Sequence, residues 1–74
     1  MADRVSDTMT LTINGDARAV RRVRTVAELL DALALDPRGV VVELNRIIVR
    51  RPALADTAVA EGDQIEIVHF VGGG

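Results

Sequence analysis

The chain has 74 residues, 49% of them hydrophobic, with a formal charge of −2 and no cysteine. That is room for one domain with a small core, too apolar to stay disordered and too small for a deep catalytic cleft. Disulfides, thiolate metal sites and cysteine nucleophiles are excluded, one histidine cannot build a histidine-rich metal site, and the net charge gives no general attraction to nucleic acid.

The longest apolar run falls short of the ~18–20 residues that a membrane span needs, and no secretory signal pattern opens the chain. The default expectation is a cytoplasmic protein with no membrane partner. Every basic side chain is arginine; without lysine the chain cannot polymerise through isopeptide bonds to itself.

Residues 1–8 read as a flexible leader, polar and without period, and Met9 is an alternative translation start. From Met9 to Ile13 apolar and polar residues alternate, the period of a half-buried strand. Asn14-Gly15 then marks a hairpin, because both positions tolerate positive φ. The return strand is expected over Ala17–Val23, with Val20 pointing inward.

Thr25-Val-Ala-Glu28 has the spacing of a capping box, and Val26, Leu29, Leu30 and Leu33 form one apolar stripe at helical spacing. The expected helix has about ten residues and stops at Asp36-Pro37-Arg38-Gly39. Two β-branched runs, Val40–Leu44 and Ile47–Val49, flank Asn45-Arg46 as a second hairpin that Arg51-Pro52 ends. Residues 53–60 connect, with one helical turn. Glu61-Gly62-Asp63 is a turn before a last strand, Gln64–Val68. Residues 9–70 therefore form the domain, in the order ββαββ plus a final strand.

Val71 and three glycines follow that strand. Glycine lacks Cβ, so such a tail of residues 71–74 can thread a channel too narrow for other residues. Extended at about 3.3–3.6 Å per residue, residues 70–74 carry the last carboxylate roughly 16–18 Å beyond His69. A carboxylate is a poor electrophile and must be activated before acyl transfer, most simply as an acyl-adenylate; a sulfur nucleophile can then displace AMP.

Thr25-Val-Ala-Glu-Leu-Leu30, Leu44-Asn45 with Ile48-Val49, Glu61-Gly-Asp-Gln-Ile65 and the ending Val68-His-Phe-Val-Gly-Gly-Gly74 closely resemble the sulfur carriers of thiamin biosynthesis, the ThiS family. The likeness runs from about Met9 to Gly74. It implies an α+β, ubiquitin-like β-grasp fold: a five-stranded mixed sheet packed on one amphipathic helix. It also implies a carrier with no catalytic residues and no bound cofactor of its own. An adenylyltransferase related to the ubiquitin-activating enzymes (ThiF type) uses ATP to adenylate Gly74, and sulfur from a cysteine desulfurase makes the thiocarboxylate. Thiazole synthase (ThiG type) takes the sulfur. Val71, Gly72 and Gly73 would lie in the partner's channel, and the free carrier would be a monomer. The family often has proline after Ile-Val and an aromatic shortly downstream, where this chain has Arg50-Arg51-Pro52 and Leu54.

Strand parity sets Val68 and Phe70 opposite to inward Ile65 and Ile67, as candidate partner contacts beside the tail. Arg18, Arg21, Arg22 and Arg24 are a dense cationic run without interleaved aromatics, which reads as a solvated edge or docking face rather than a nucleic-acid patch. His69 has no paired nucleophile or carboxylate at meaningful spacing and reads as structural. The alternatives are the small subunit of molybdopterin synthase, whose tail usually carries prolines before the glycines, a ubiquitin-like protein modifier, and an interaction domain with an inert tail.

Overall fold

The computed structural model describes residues 7–70. The expected leader up to residue 6 and the tail of residues 71–74 lie outside them. Five strands, β1 (Thr8–Ile13), β2 (Asp16–Arg21), β3 (Val40–Leu44), β4 (Ile47–Val49) and β5 (Gln64–His69), form one sheet in the order β2-β1-β5-β3-β4. β5 is central, parallel to β1 and antiparallel to β3. Helix α1 (Val26–Ala32) covers one face, giving the expected β-grasp arrangement.

The alternation read from the sequence is what builds the core. Met9, Leu11 and Ile13 of β1, Val20, Val42, Ile65 and Ile67 point inward and are buried together with Val26, Leu29 and Leu30 of the helix. Leu33 and Leu44 pack against this cluster from its margin, half-buried. The 3-10 turn at Arg51–Asp56 closes the core with buried Leu54, and Val59 joins it from the connection that follows.

Several boundaries differ from the expectation. β1 starts at Thr8, opposite Arg21, so Thr8 belongs to the domain and not to the leader. β2 stops at Arg21, and Val23 is buried beyond the strand as the chain dips towards the helix. The helical turn of the later connection begins at Arg51, where Pro52 takes an early position that needs no amide donor. β5 runs one residue further, to His69, because Val40 pairs with it.

Helix α1 has seven residues, shorter than expected. Its start is as read: the Glu28 N–H donates to Thr25 Oγ1 (3.2 Å). The reciprocal half is displaced by one residue, since Glu28 Oε1 accepts from the Arg24 N–H (2.7 Å). Its end comes before Asp36. Ala34 turns left-handed (φ 60°). The Ala34 N–H donates to the Asp31 carbonyl (3.0 Å) and the Leu35 N–H to the Leu30 carbonyl (2.9 Å). This reversal satisfies late helical carbonyls and brings Leu35 against the core, so burial of Leu35 outweighs two further helical residues.

Candidate functional site

Everything that presents the tail depends on β5. The strand is gripped from both sides by the turns of the two hairpins, each with an asparagine in left-handed conformation: Asn14 at φ 51° and Asn45 at φ 50°. Asn14 extends the β1–β5 ladder with its side chain. Its Oδ1 accepts from the Ile67 N–H (2.7 Å), its Nδ2 donates to the Ile67 carbonyl (3.1 Å), and its own N–H donates to the Ile65 carbonyl (2.9 Å). On the other side Asn45 Oδ1 accepts from the Gln64 N–H (2.9 Å) and the Asn45 N–H donates to the Gln64 carbonyl (2.7 Å).

The Glu61-Gly62-Asp63 turn sets where β5 begins. Gly62 sits at φ 86°, a conformation glycine adopts without strain, and its N–H donates to the Thr10 carbonyl (2.8 Å). Glu61 Oε2 accepts from the Thr10 N–H (3.2 Å). Asp63 holds both its own turn, by accepting from the Ala60 N–H (2.8 Å), and the opposite hairpin, by accepting from Asn45 Nδ2 (3.2 Å). This motif therefore serves the frame on which the tail is mounted.

The far end of β5 is the root of the tail. The Phe70 N–H donates to the carbonyl of Gly39 (2.9 Å), just before β3. Gly39 is fixed in turn by a 3-10 turn at Pro37–Gly39 that Asp36 caps through the Arg38 N–H (2.9 Å). Arg38 lies back on the Asp36 carboxylate through Nε (3.1 Å) and Nη2 (3.0 Å). This hydrogen-bonded guanidinium, with the Arg38 amide, holds the Asp36 carboxyl below its ordinary value of 3.8 and raises Arg38. A carboxyl lowered on folding contributes above the unfolded pKa and loses that contribution as pH falls through the folded one, so this brace weakens only in acid.

Val68 and Phe70 point away from the core, 58% and 56% exposed, as their parity required. They do not stand alone. Val41 faces Val68 across the β3–β5 pair, and Ile48 of β4, 56% exposed, lies on the same face. A shallow groove beside β3 joins this face to the margin of the core, lined by Val41, Ile48, Arg50 and Phe70 together with buried Val42 and Leu54. The sequence reading took Ile48 as one residue of a strand and missed its outward face; period-2 parity counted from buried Val42 and half-buried Leu44 across the hairpin was the available signal. The two asparagine clamps were also missed, because their residue type announces a turn and says nothing of what the side chain reaches.

Val71, Gly72, Gly73 and Gly74 lie outside the described residues. His69 ends β5 exposed, opposite Val40. The arginine run does not act as one patch. Arg21 turns to Asp31 of the helix (3.4 Å), and Arg22 reaches the Thr8 carbonyl (3.0 Å). Among the described residues no group of three or more histidine, cysteine, aspartate or glutamate side chains could hold a metal, and no helix is long and apolar enough to cross a membrane.

The ThiS family model matches residues 11–74. The chain is 37% identical to the sulfur carrier protein ThiS of Bacillus subtilis (strain 168), over 86% of this chain and 98% of that one. It is 47% identical to a thiazole synthase of Paramagnetospirillum magneticum and 38% identical to one of Magnetococcus marinus, over 89% of this chain. Of those two proteins it spans only 20% of the length. Among solved structures it superposes on the crystal structure of the thiamine biosynthesis protein ThiS from Geobacter metallireducens with a TM-score of 0.75 at 40% identity, covering 89% of this chain and all of that one. The solution structure of a thiamine biosynthesis protein from the same organism gives 0.74. With the family pattern running through the glycine tail and the fold matching over the rest, the chain belongs to the ThiS family.

Proposed function

We propose that the chain is a sulfur carrier for thiazole formation in thiamin biosynthesis and that the carboxylate of Gly74 is the group that reacts. The observation that carries this reading is that the family match extends to residue 74, through all three glycines. The chain has no cysteine, so sulfur cannot travel on it as a side-chain persulfide. The acyl group of the tail is the remaining carrier chemistry.

In the proposed cycle a carboxylate oxygen of Gly74 attacks the α-phosphate of ATP on a ThiF-type adenylyltransferase, and pyrophosphate leaves. The persulfide sulfur supplied by a cysteine desulfurase displaces AMP to give an acyl disulfide, and a thiol reductant then cleaves its S–S bond, taking the other sulfur into a disulfide and leaving the thiocarboxylate. A thiazole synthase accepts that sulfur. The two relatives named thiazole synthase support the last step, since in each a segment like this chain makes up a fifth of the protein. Val71, Gly72 and Gly73 would line the way into the enzyme, with Val68 and Phe70 in contact with its surface. Membership in the ThiS family favours this reading over a molybdopterin-synthase subunit or a protein modifier.

Intact-mass spectrometry of carrier from sulfur-replete cells, followed by ATP–pyrophosphate exchange with the organism's adenylyltransferase, tests it. A terminus at Gly74 with oxygen exchanged for sulfur is the expected species. Deleting Gly74 withdraws the carboxylate by about 3.5 Å, more than near-attack geometry tolerates, so exchange should collapse in a normally folded protein. Wild-type exchange from that variant would rule out Gly74 as the reacting residue.

A further inference from the structure

The turn before β3 is secured out of proportion to anything it buries. Pro37–Gly39 places no residue in the core. Yet the Asp36 carboxylate accepts three hydrogen bonds there, from the Arg38 N–H (2.9 Å), Nε (3.1 Å) and Nη2 (3.0 Å). Arg51 adds an attractive charge from the 3-10 turn at Arg51–Asp56. Asp36 and Arg38 are both exposed, so the ion pair itself contributes little to stability. What the turn does hold is a carbonyl. The Gly39 N–H donates back to the Asp36 carbonyl (2.9 Å), and the Gly39 carbonyl accepts from the Phe70 N–H (2.9 Å). That last bond lies one step past the β3–β5 ladder, which ends at the Val40–His69 pair. On the β1 side the pairing ends at Ile65 and the Asn14 clamp at Ile67. From Val68 onward β5 is therefore held from the β3 side, and at Phe70 the hold is the Gly39 carbonyl.

Four residues follow Phe70, and at about 3.3–3.6 Å each they span at most roughly 13–14 Å. If the bond to Gly39 opens, the last anchor of the domain moves back to His69. The chain between that anchor and Gly74 then gains one residue, about 3.5 Å of reach, and an enzyme must order that residue too before the carboxylate is in place. We propose that Asp36 is a positioning residue for the adenylation of Gly74: by capping the Pro37–Gly39 turn it fixes the Gly39 carbonyl, and through it the point from which the tail departs. This rests on the carrier reading, since the origin of the tail matters to chemistry only if its end reacts. Asp36 acts here through two backbone groups and not by contact with ATP or the reacting carboxylate. The part of Asp36 that matters is the oxygen that takes the Arg38 N–H; the guanidinium only covers the same carboxylate. Asparagine keeps that acceptor, caps about as well as aspartate and carries no charge, so it separates the cap from the ion pair.

The test compares full-length wild type, Asp36→Ala and Asp36→Asn in ATP–pyrophosphate exchange with the organism's adenylyltransferase, and reads amide hydrogen exchange of each free carrier by NMR. Asp36→Ala should raise the KM for the carrier about five- to thirtyfold with kcat nearly unchanged, as when one more residue must be ordered on binding. Its Phe70 amide should lose protection while the Ile67 amide keeps it, and its melting temperature should fall by less than about 8 °C. Asp36→Asn should recover most of the wild-type KM and of the Phe70 protection. An active wild type together with an unchanged KM in Asp36→Ala would overturn the positioning role and leave the carrier reading standing. No exchange from wild type would overturn both. Equal losses in Asp36→Asn and Asp36→Ala would show that the charge of Asp36 meets the enzyme directly, and a raised KM with Phe70 protection intact would also overturn the assignment. So would loss of protection across the whole sheet, which would make Asp36 a support of the fold at large.

Discussion

The two faces of β5 are made from neighbouring residues of one strand, yet they obey different rules. Ile65 and Ile67 point into the core and are buried; Glu66, Val68 and Phe70 point out and are exposed. The inner face is explained by the fold alone, because removing apolar surface from water there stabilises the domain. The outer face is not: a free β-grasp domain gains little from an exposed phenylalanine. Residues that the folded domain does not need are where a carrier can meet its enzymes. The strand thus has one side that holds the end of the domain in place and another that, on the proposed reading, is left for a partner.

The comparison breaks most sharply if the two faces respond alike to substitution. Ile65→Ala removes most of a buried side chain at the centre of the core and should cost about 2–5 kcal/mol in urea unfolding, a large share of a small domain's stability. Phe70→Ser should leave the unfolding midpoint close to wild type and instead raise the KM of adenylation, since its ring is more than half exposed. An equal loss of stability from both would put Phe70 in the core and end the distinction between the faces.

Next in size is the clamp on the strand itself. Asn14→Ala removes both side-chain hydrogen bonds to the Ile67 backbone and leaves those part-buried groups short of partners. The expected loss is about 1–3 kcal/mol. Amide hydrogen exchange sharpens the result: the Ile67 amide should lose protection far more than amides of β3. Uniform loss across the sheet would mean that Asn14 supports the turn generally and not β5 in particular.

The legible parts of the molecule were those with a repeating period. The strand alternation of β1 and β5 and the stripe of Val26, Leu29 and Leu30 led directly to the buried core, and the same parity placed Val68 and Phe70 outside. Turn chemistry located both hairpins, though Arg46 at φ 75° sits where glycine would be the easier choice. What was hidden depends on distance across the chain. Asn14 reaches Ile67, 53 residues later, and no local pattern encodes that. The helix end was misplaced for a related reason: proline and glycine at 37 and 39 are the strong local stop, but the pull of Leu35 towards the core acts earlier.

That early stop gives the smallest expected effect and a control for the others. Ala34 holds a left-handed conformation in which an L-residue with a Cβ is strained by roughly 1–2 kcal/mol. Glycine removes the strain but loses about 0.5–1 kcal/mol through the greater freedom of the unfolded chain. Ala34 is exposed, so deleting its methyl group leaves no cavity. Ala34→Gly should therefore stabilise the domain, by up to about 1 kcal/mol in urea unfolding. Its two reversal hydrogen bonds, to Asp31 and from Leu35 to Leu30, use backbone atoms and survive the change. The substitution lies on the far side of the domain from the outer face of β5, so adenylation KM should match wild type. A carrier made more stable with unchanged docking would confirm that the two faces of β5 can be tuned apart. A shift in KM from this site would show instead that docking follows global stability, and the division of labour between the faces would fail.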